Sequence, residues 1–185
     1  MIEQIFHQAE DRMKKVIAVT KQEFNNIRTG RASVQLLDGV KVEYYNSLMP
    51  INQLASVSTP DARTITIQPW DKGAFSPIET AITKAGLGLT PVNDGNLIRI
   101  SIPYLTEERR RELSKLVHKT AEDQKVSIRN IRRDVNDEIK ELKKKSEISE
   151  DDNKKALEKV QHLTDKYIVE IDNAAKSKER DIMES

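Results

Sequence analysis

The residues with the clearest chemical potential are the arginines and lysines of one charged segment, SIRNIRRDVNDEIKELKKK, residues 127–145. In a helix each residue turns by about 100°, and we set Ile128 to zero. Basic side chains then gather between about 40° and 140°; they are Arg111, Lys115, His118, Lys125, Arg129, Arg132, Arg133, Lys140 and Lys143. Glu122 is the one acid among them. The other acids gather between about 180° and 280°; they are Glu112, Asp123, Asp134, Asp137, Glu138 and Glu141.

Two interpretations fit this basic face. The first is structural: the bases and acids complement charges on neighbouring helices. The second is functional: a line of guanidinium groups binds phosphates, because arginine binds phosphate through two hydrogen bonds and a long helix can follow a sugar–phosphate backbone. Arg28 and Arg31, at the end of the first predicted helix, would extend such a surface. The sequence leaves both interpretations open.

The sequence offers little for catalysis. The chain has no cysteine, which excludes a thiol nucleophile and a cysteine-based zinc site. His7, His118 and His162 lie on three different predicted helices without the spacing of metal ligands. The glycine pair of residues 86–88 follows a predicted helix rather than a strand, so it indicates a turn and not a phosphate-binding loop. We expect no enzymatic activity, no metal site and no cofactor.

Composition favours a cytoplasmic protein. The 185 residues are 33% charged with a net charge of +1, and no apolar run reaches the ~18 residues of a membrane span. The first residues, MIEQIFHQAEDR, carry acids that a targeting peptide would lack. We therefore expect a cytoplasmic monomer that does not bind membranes.

Apolar residues in the two arms of the chain recur every three or four positions, which is typical of amphipathic helices. One such helix covers residues 1–29, and two more are expected to begin near Thr106 and Ser149, both good N-cap residues. Long helices with one apolar stripe need partners. Residues 1–29 and 106–185 are therefore predicted to form an elongated antiparallel three-helix bundle.

Residues 30–105 have a different pattern. All six prolines and all six glycines lie in this part of the chain, and its charges balance. Alternating and β-branched residues predict three strand regions: VKVEYYN, RTITIQPW and NLIRISIP. Between the last two, Ser76 is the expected cap of a short helix. We predict an inserted, small β-rich (β/α/β) domain bounded by the breaks in composition near residues 29–31 and 104–106, which makes the fold class α+β.

Several motifs are recognisable together and in order. They are IRTGRAS (27–33), LLDGVKVEYYN (36–46), RTITIQPWDK (63–72), LTEERRREL (105–113), IRNIRRD (128–134) and EISEDD (147–152). With them, nearly the whole chain resembles the bacterial ribosome recycling factors. One departure is Ala85-Gly86, where that family usually has Ser followed by Asn or Asp, and this leaves the conformation of the local turn open.

The resemblance implies an L-shaped protein that binds the post-termination ribosome through a basic helix face on large-subunit rRNA. Elongation factor G with GTP then drives it to split the subunits. The positions that match the family's RNA-contacting residues are Arg129, Arg132 and Arg133, with support from Arg28, Arg31 and Arg110. The positions that match its hinges are Thr29, Gly30, Arg31, Tyr104, Leu105 and Thr106.

Two other function classes are possible for a helical, charged chain. A coiled-coil chaperone or adaptor would expose apolar stripes, whereas burial in a bundle accounts for the stripes of this chain. A nonspecific nucleic-acid binder would be more basic than a net charge of +1. Neither class fits the sequence as well.

Overall fold

A computed structural model describes residues 1–184 of the chain. It contains two compact units. The bundle unit consists of Met1–Arg28 and Glu107–Glu184, and the inserted unit consists of Thr29–Thr106. The helices are α1 (Ile2–Asn26), α2 (Phe75–Lys84), α3 (Glu107–Lys144) and α4 (Glu150–Glu184). The three long helices and the antiparallel strands occupy separate parts of the chain, and only the short α2 lies among the strands, so the predicted α+β class is confirmed. Within residues 1–184, no helix combines the length and apolar composition needed to cross a membrane.

The bundle unit packs α1, α3 and α4 against one another. Its core contains most of the apolar positions that recur every three or four residues. In α1, Ala9, Met13 and Phe24 are buried, whereas the recurring positions Ile2, Ile5 and Val16 are half-buried. In α3, the recurring positions from Leu113 to Ile139 are buried and Leu142 is half-buried. The α1 and α4 stripes are wider than predicted, since Phe6, Ile17 and Tyr167 are also buried. Each of these helices contacts two neighbours, so a single row of side chains does not fill its buried face.

Local hydrogen bonds fix the start of α4 and satisfy the hydroxyls of the two buried threonines of the core. Ser149 Oγ accepts a bond from Asp152 N at 3.0 Å, and Asp152 Oδ2 accepts one from Ser149 N at 3.4 Å, so the predicted capping box is confirmed. In the core, the buried Thr20 and Thr164 donate their hydroxyls to the carbonyls four residues earlier, at 2.7 and 2.8 Å. The bundle thus buries two threonines without leaving a hydroxyl unpaired.

The inserted unit contains six strands. They are β1 (Lys41–Tyr44), β2 (Ser47–Pro50), β3 (Ala55–Asp61), β4 (Thr64–Pro69), β5 (Pro91–Asn93) and β6 (Ile98–Ser101). β1 and β2 form a hairpin, and the others form an antiparallel sheet in the order β3-β4-β6-β5. Ile65 and Ile67 of β4, and Ile98 and Ile100 of β6, are fully buried in register with one another, as the alternating pattern predicts.

Of two local predictions for the inserted unit, one was confirmed in part and one was wrong. The segment VKVEYYN is a strand followed by a hairpin turn, in which Tyr45 and Asn46 both have positive φ, 49° and 61°. Ser76 does not cap α2: the helix begins at Phe75, directly after a short 3₁₀ turn in which Asp71 accepts a bond from Gly73 N at 3.1 Å. At the other end of α2, Gly86 has a φ of +65°, so the glycine that departs from the family pattern suits the left-handed conformation found there.

Candidate nucleic-acid interface

The basic side of α3 divides into two strips, and the first lies against α4. Lys125 Nζ contacts Asp172 of α4 and lies 3.2 Å from Glu122, while only 14% of its side chain is exposed. The hydrogen bond to Asp172 raises the pKa of Lys125 above its ordinary value, and burial opposes that shift only in part. This lysine is committed to the bundle.

Other bases at this flank have partners on or near α4. His118 Nε2 lies 2.6 Å from Glu179, and Lys143 Nζ lies 3.1 Å from Glu150. With Lys125 and Arg132 they make up what we call the α4-facing strip, at about 40° to 80° on the wheel. For Lys125, His118 and Lys143 the structural interpretation of the basic face is correct.

The second strip, at about 100° to 140°, remains unneutralised. We call it the open strip; its members are Lys115, Arg129, Arg133 and Lys140. Within residues 1–184 none of the four side chains forms a hydrogen bond or an ion pair, and Arg129 alone is half-buried. At 1.5 Å per residue the strip is about 37 Å long. Arg111 lies at the same angle but pairs with Glu107 at 2.6 Å.

Arg132 lies at about 40° on the wheel, at the edge of the α4-facing strip that is farther from the open strip. Its Nη1 donates to Gln161 Oε1 on α4 at 3.1 Å, and Gln161 Nε2 donates in turn to Asp165 at 2.9 Å. The side chain is half-buried, yet this is a single bond from a group with five donors. Arg132 is therefore oriented by α4 while most of its guanidinium donors have no protein acceptor among the described residues.

The acidic side of α3 faces α1. Asp134 Oδ2 lies 2.7 Å from Arg12, and Gln124 donates to Glu23 at 3.5 Å. Complementary charge on a neighbouring helix thus accounts for part of the acidic face. Complementary charges on α1 and α4 therefore explain the charges on two flanks of α3. They do not explain the open strip, which lies beside the α4-facing strip.

Three predicted arginines lie away from the open strip. Arg110 is half-buried and donates to the carbonyl of Met183 at 3.2 Å, near the end of α4. Its wheel angle of about 0°, the same as that of Ile128, already indicated this inward position. Arg28 and Arg31 are exposed, the first in the bundle unit and the second in the inserted unit. The structure therefore groups Arg129, Arg132 and Arg133 on one helix face and places Arg110 about 28 Å from Arg129 along the axis.

The predicted hinge residues lie where the chain passes between the units. Thr29, Gly30 and Arg31 precede the first strand, and Tyr104, Leu105 and Thr106 precede α3; all six are outside helices and strands. Gly30 is buried, whereas Tyr104 is 74% exposed. At the first crossing, Arg31 N donates to Thr29 Oγ1 at 3.4 Å.

The sequence did not reveal a cavity of about 310 Å³ between α1 and α4. His7 and His162 both line it, although they come from different helices. Beside it, Tyr167 donates to Glu10 at 2.9 Å, which lowers the pKa of Glu10; burial and that bond raise the pKa of Tyr167 to about 12. Among residues 1–184 no three His, Asp or Glu side chains are placed to hold a metal ion.

The chain is similar to known proteins over nearly all its length. The family model described as ribosome recycling factor matches residues 20–183. The ribosome-recycling factor of Nitratidesulfovibrio vulgaris is 56% identical over 183 residues, covering 99% of this chain and 98% of the relative. That of Bacillus licheniformis is 52% identical over 184 residues and covers both chains fully.

Two solved structures are similar in both sequence and fold. A solution structure of ribosome recycling factor is 48% identical with a TM-score of 0.77, covering 100% of this chain and 98% of that one. The second is a set of models for the T. thermophilus ribosome recycling factor and the E. coli elongation factor G bound to the E. coli post-termination complex. It is 42% identical with a TM-score of 0.67 and covers 98% of each chain.

Proposed function

Because this chain belongs to the ribosome recycling factor family, we propose that it binds large-subunit rRNA of the post-termination ribosome through the open strip of α3, and that it splits the subunits with elongation factor G and GTP. The chain is a translation factor and not an enzyme. The observation that carries the RNA-binding part is the set of four unpaired basic side chains along about 37 Å of one helix.

The open strip suits phosphate binding because its charges are unpaired. A paired base such as Lys125 would have to give up Asp172 before it met a phosphate, and that exchange cancels most of the gain. Arg129 and Arg133 are four residues apart and therefore lie side by side on the helix. Two adjacent guanidinium groups can each hold a phosphate bidentately, which a single lysine cannot do.

Arg132 contributes differently. Its bond to Gln161 restrains the side chain before RNA arrives, so less rotamer entropy is lost on binding. We assign Arg129, Arg132 and Arg133 the main phosphate contacts, and Lys115 and Lys140 the ends of the track. Arg28, Arg31 and Arg110 remain secondary candidates.

The second part of the proposal is mechanical and concerns the splitting of the subunits. We propose that this takes place in the cytoplasm. The inserted unit is joined to the bundle unit by two chain crossings, at residues 29–31 and 104–106, which we propose as hinges. Two adjacent crossings restrict motion more than one linker does. The related factor, bound together with elongation factor G to the post-termination complex, supports that partner as the source of the push on the inserted unit.

Co-sedimentation with ribosomes in rising salt tests the binding part. With about four to five phosphates neutralised, log affinity should fall against log salt with a slope of roughly −3 to −4. Naked RNA serves as the comparison, and binding to it should be weaker at every salt concentration. A flat salt dependence would reject the open strip as the binding surface.

A deletion tests the mechanical part. The bundle unit has its own core, so replacing residues 31–104 with a short Gly/Ser linker should leave a helical protein. We expect it to bind ribosomes but not to split them when elongation factor G and GTP are added, as followed by light scattering. Splitting at the full-length rate would show that the inserted unit is not the lever.

A further inference from the structure

The turn between β3 and β4 contacts both chain segments that enter and leave the inserted unit. Ala32 N, in the entering segment, donates to Ala62 O at 2.7 Å. Ile102 N, in the leaving segment, donates to Arg63 O at 2.8 Å. Two segments about 70 residues apart in sequence are thus tied to two adjacent carbonyls of one turn.

The Arg63 side chain adds a second tie to the leaving segment. Its Nη2 donates to Ile102 O, so residues 63 and 102 bond in both directions. The guanidinium carbon also lies 3.0 Å from the centroid of the Tyr104 ring, in a cation–π contact. Nη1 is buried and has no hydrogen-bond partner. A buried donor without a partner costs free energy of folding, so its presence in the structure needs an explanation.

The turn itself is held in shape. Asp61 Oδ1 accepts a bond from Arg63 N at 2.8 Å, and this bond lowers the pKa of Asp61. The β3–β4 register shifts between Ser58 and Asp61, an irregularity that alters the direction of the tip relative to the sheet. The turn that carries the carbonyls of Ala62 and Arg63 is therefore stabilised by a hydrogen bond of its own.

We propose that Arg63 is a positioning residue that clamps the leaving segment to the β3–β4 turn and thereby limits the second hinge to Leu105 and Thr106. This inference deepens the proposed function and rests on it. Without the clamp, residues 102–104 would add up to about 10 Å of free chain. A push on the inserted unit would then take up this slack before it moved the bundle unit.

The test uses Arg63→Gln in the full-length chain, with Arg99→Gln as the matched control. Arg99 is an arginine of the same unit that pairs with Asp94 at 3.3 Å and contacts neither crossing. In the first measurement, amide hydrogen exchange, we expect the Ile102 amide of Arg63→Gln to exchange at least about tenfold faster, with the β4 and β6 amides unchanged. Unchanged exchange at Ile102 would overturn the clamp.

The second measurement compares ribosome affinity with the rate of subunit splitting by elongation factor G and GTP. We expect affinity within about twofold of the wild type and splitting at least about fivefold slower for Arg63→Gln, with Arg99→Gln like the wild type. Faster exchange with normal splitting would overturn the positioning role. If the wild type itself does not split subunits, the proposed function fails, whereas the exchange data still decide whether the clamp exists.

A second variant covers the case in which Arg63→Gln does not fold. Tyr104→Leu removes only the ring under the guanidinium, and the ring is mostly exposed, so the fold should survive. We expect a smaller increase in Ile102 exchange, about threefold, with a matching fall in splitting. No change in either quantity would overturn the part of the clamp assigned to Tyr104.

Discussion

The α4-facing strip and the open strip run side by side along α3 and have almost the same composition, but their surroundings differ. In the first, Lys125 and His118 meet Asp172 and Glu179 of α4. In the second, Arg129 and Arg133 meet no acid among the described residues. A rotation of about 60° around the helix separates a base that holds the bundle together from one that is available to a partner.

This difference explains how a chain with a net charge of +1 can bind an anion. Acids on neighbouring helices neutralise one strip locally and leave the other strongly basic. The net charge of a chain therefore says little about the potential over a particular face.

The largest expected effect comes from removing the centre of the open strip. Arg129→Ala with Arg133→Ala deletes two guanidinium groups, each worth about 1.5–3 kcal/mol in charge-assisted bonds to phosphate. We expect ribosome affinity to fall by at least about a hundredfold. The unfolding free energy should change by less than about 1 kcal/mol, because alanine favours helix. Co-sedimentation and urea denaturation measure the two quantities.

The matched control is Arg109→Ala with Lys145→Ala. It removes the same charge from the opposite side of α3, at Arg109, and from the turn directly after α3, at Lys145, and should lower affinity by less than about threefold at physiological salt, where distant charges are screened. If both double variants lose affinity equally, total charge and not the open strip drives binding.

A smaller loss of ribosome affinity is expected from changes at Arg132, in the α4-facing strip. Arg132→Ala should lower ribosome affinity by about tenfold, the effect of one charge-assisted bond. Gln161→Ala keeps the guanidinium but removes the bond that orients it, and should cost about threefold or less. Comparing the two variants in one binding assay separates the charge of Arg132 from its orientation. Equal losses would show that orientation accounts for the whole contribution of this residue.

The α4-facing strip should respond in stability instead. Lys125→Met leaves Asp172 without its partner; because the Asp172 side chain is 41% exposed and water can solvate it, we expect the unfolding free energy to fall by only about 1 kcal/mol. Ribosome affinity of the folded variant should stay within about threefold of the wild type. Exchanging the two residues, Lys125→Asp with Asp172→Lys, should restore part of the stability. A large loss of ribosome affinity in Lys125→Met would show that the two strips act as one binding surface.

The smallest expected effect is a pH dependence that distinguishes the strips. The pKa of Lys125 is raised in the folded state, so its contribution to stability is complete below its ordinary value of 10.5 and is lost as pH rises through the folded-state value. The stability gap between wild type and Lys125→Met should therefore narrow above about pH 10.5. Arg133→Ala should change the unfolding free energy very little at any pH, because the Arg133 side chain has no partner among the described residues. Urea denaturation at about pH 9, 10 and 11 measures the difference in unfolding free energy between the wild type and each of the two variants.

The wheel analysis of α3 separated basic from acidic sides correctly, because that separation depends only on helix geometry. It did not separate the two strips, since the acids that neutralise the first one belong to α4. The inward position of Arg110 was available from the same wheel. The assignments of Arg129, Arg132 and Arg133 to RNA, and of residues 29–31 and 104–106 to hinges, stay predictions.

In the fold, features with local causes were predictable. The Ser149 capping box follows from two side chains three residues apart, and the isoleucines of β4 and β6 follow from strand alternation. The β1–β2 turn was missed because tyrosine rarely adopts positive φ, and only the pairing of the two strands holds Tyr45 there. Phe6 and Tyr167 were missed because a helix with two neighbours buries more than one stripe.

The insertion of residues 29–106 between α1 and its two partner helices has a consequence for synthesis. The apolar stripe of α1 leaves the ribosome first, yet α3 begins only at Glu107 and α4 only at Glu150. At about 5–20 residues per second, the side chains of Phe6 and Met13 wait roughly ten to thirty seconds for burial. The inserted unit consists of the consecutive residues Thr29–Thr106 and can therefore fold during that interval. The newborn chain therefore carries a folded β-rich unit behind an unpaired amphipathic helix, which makes α1 the segment that chaperones would meet.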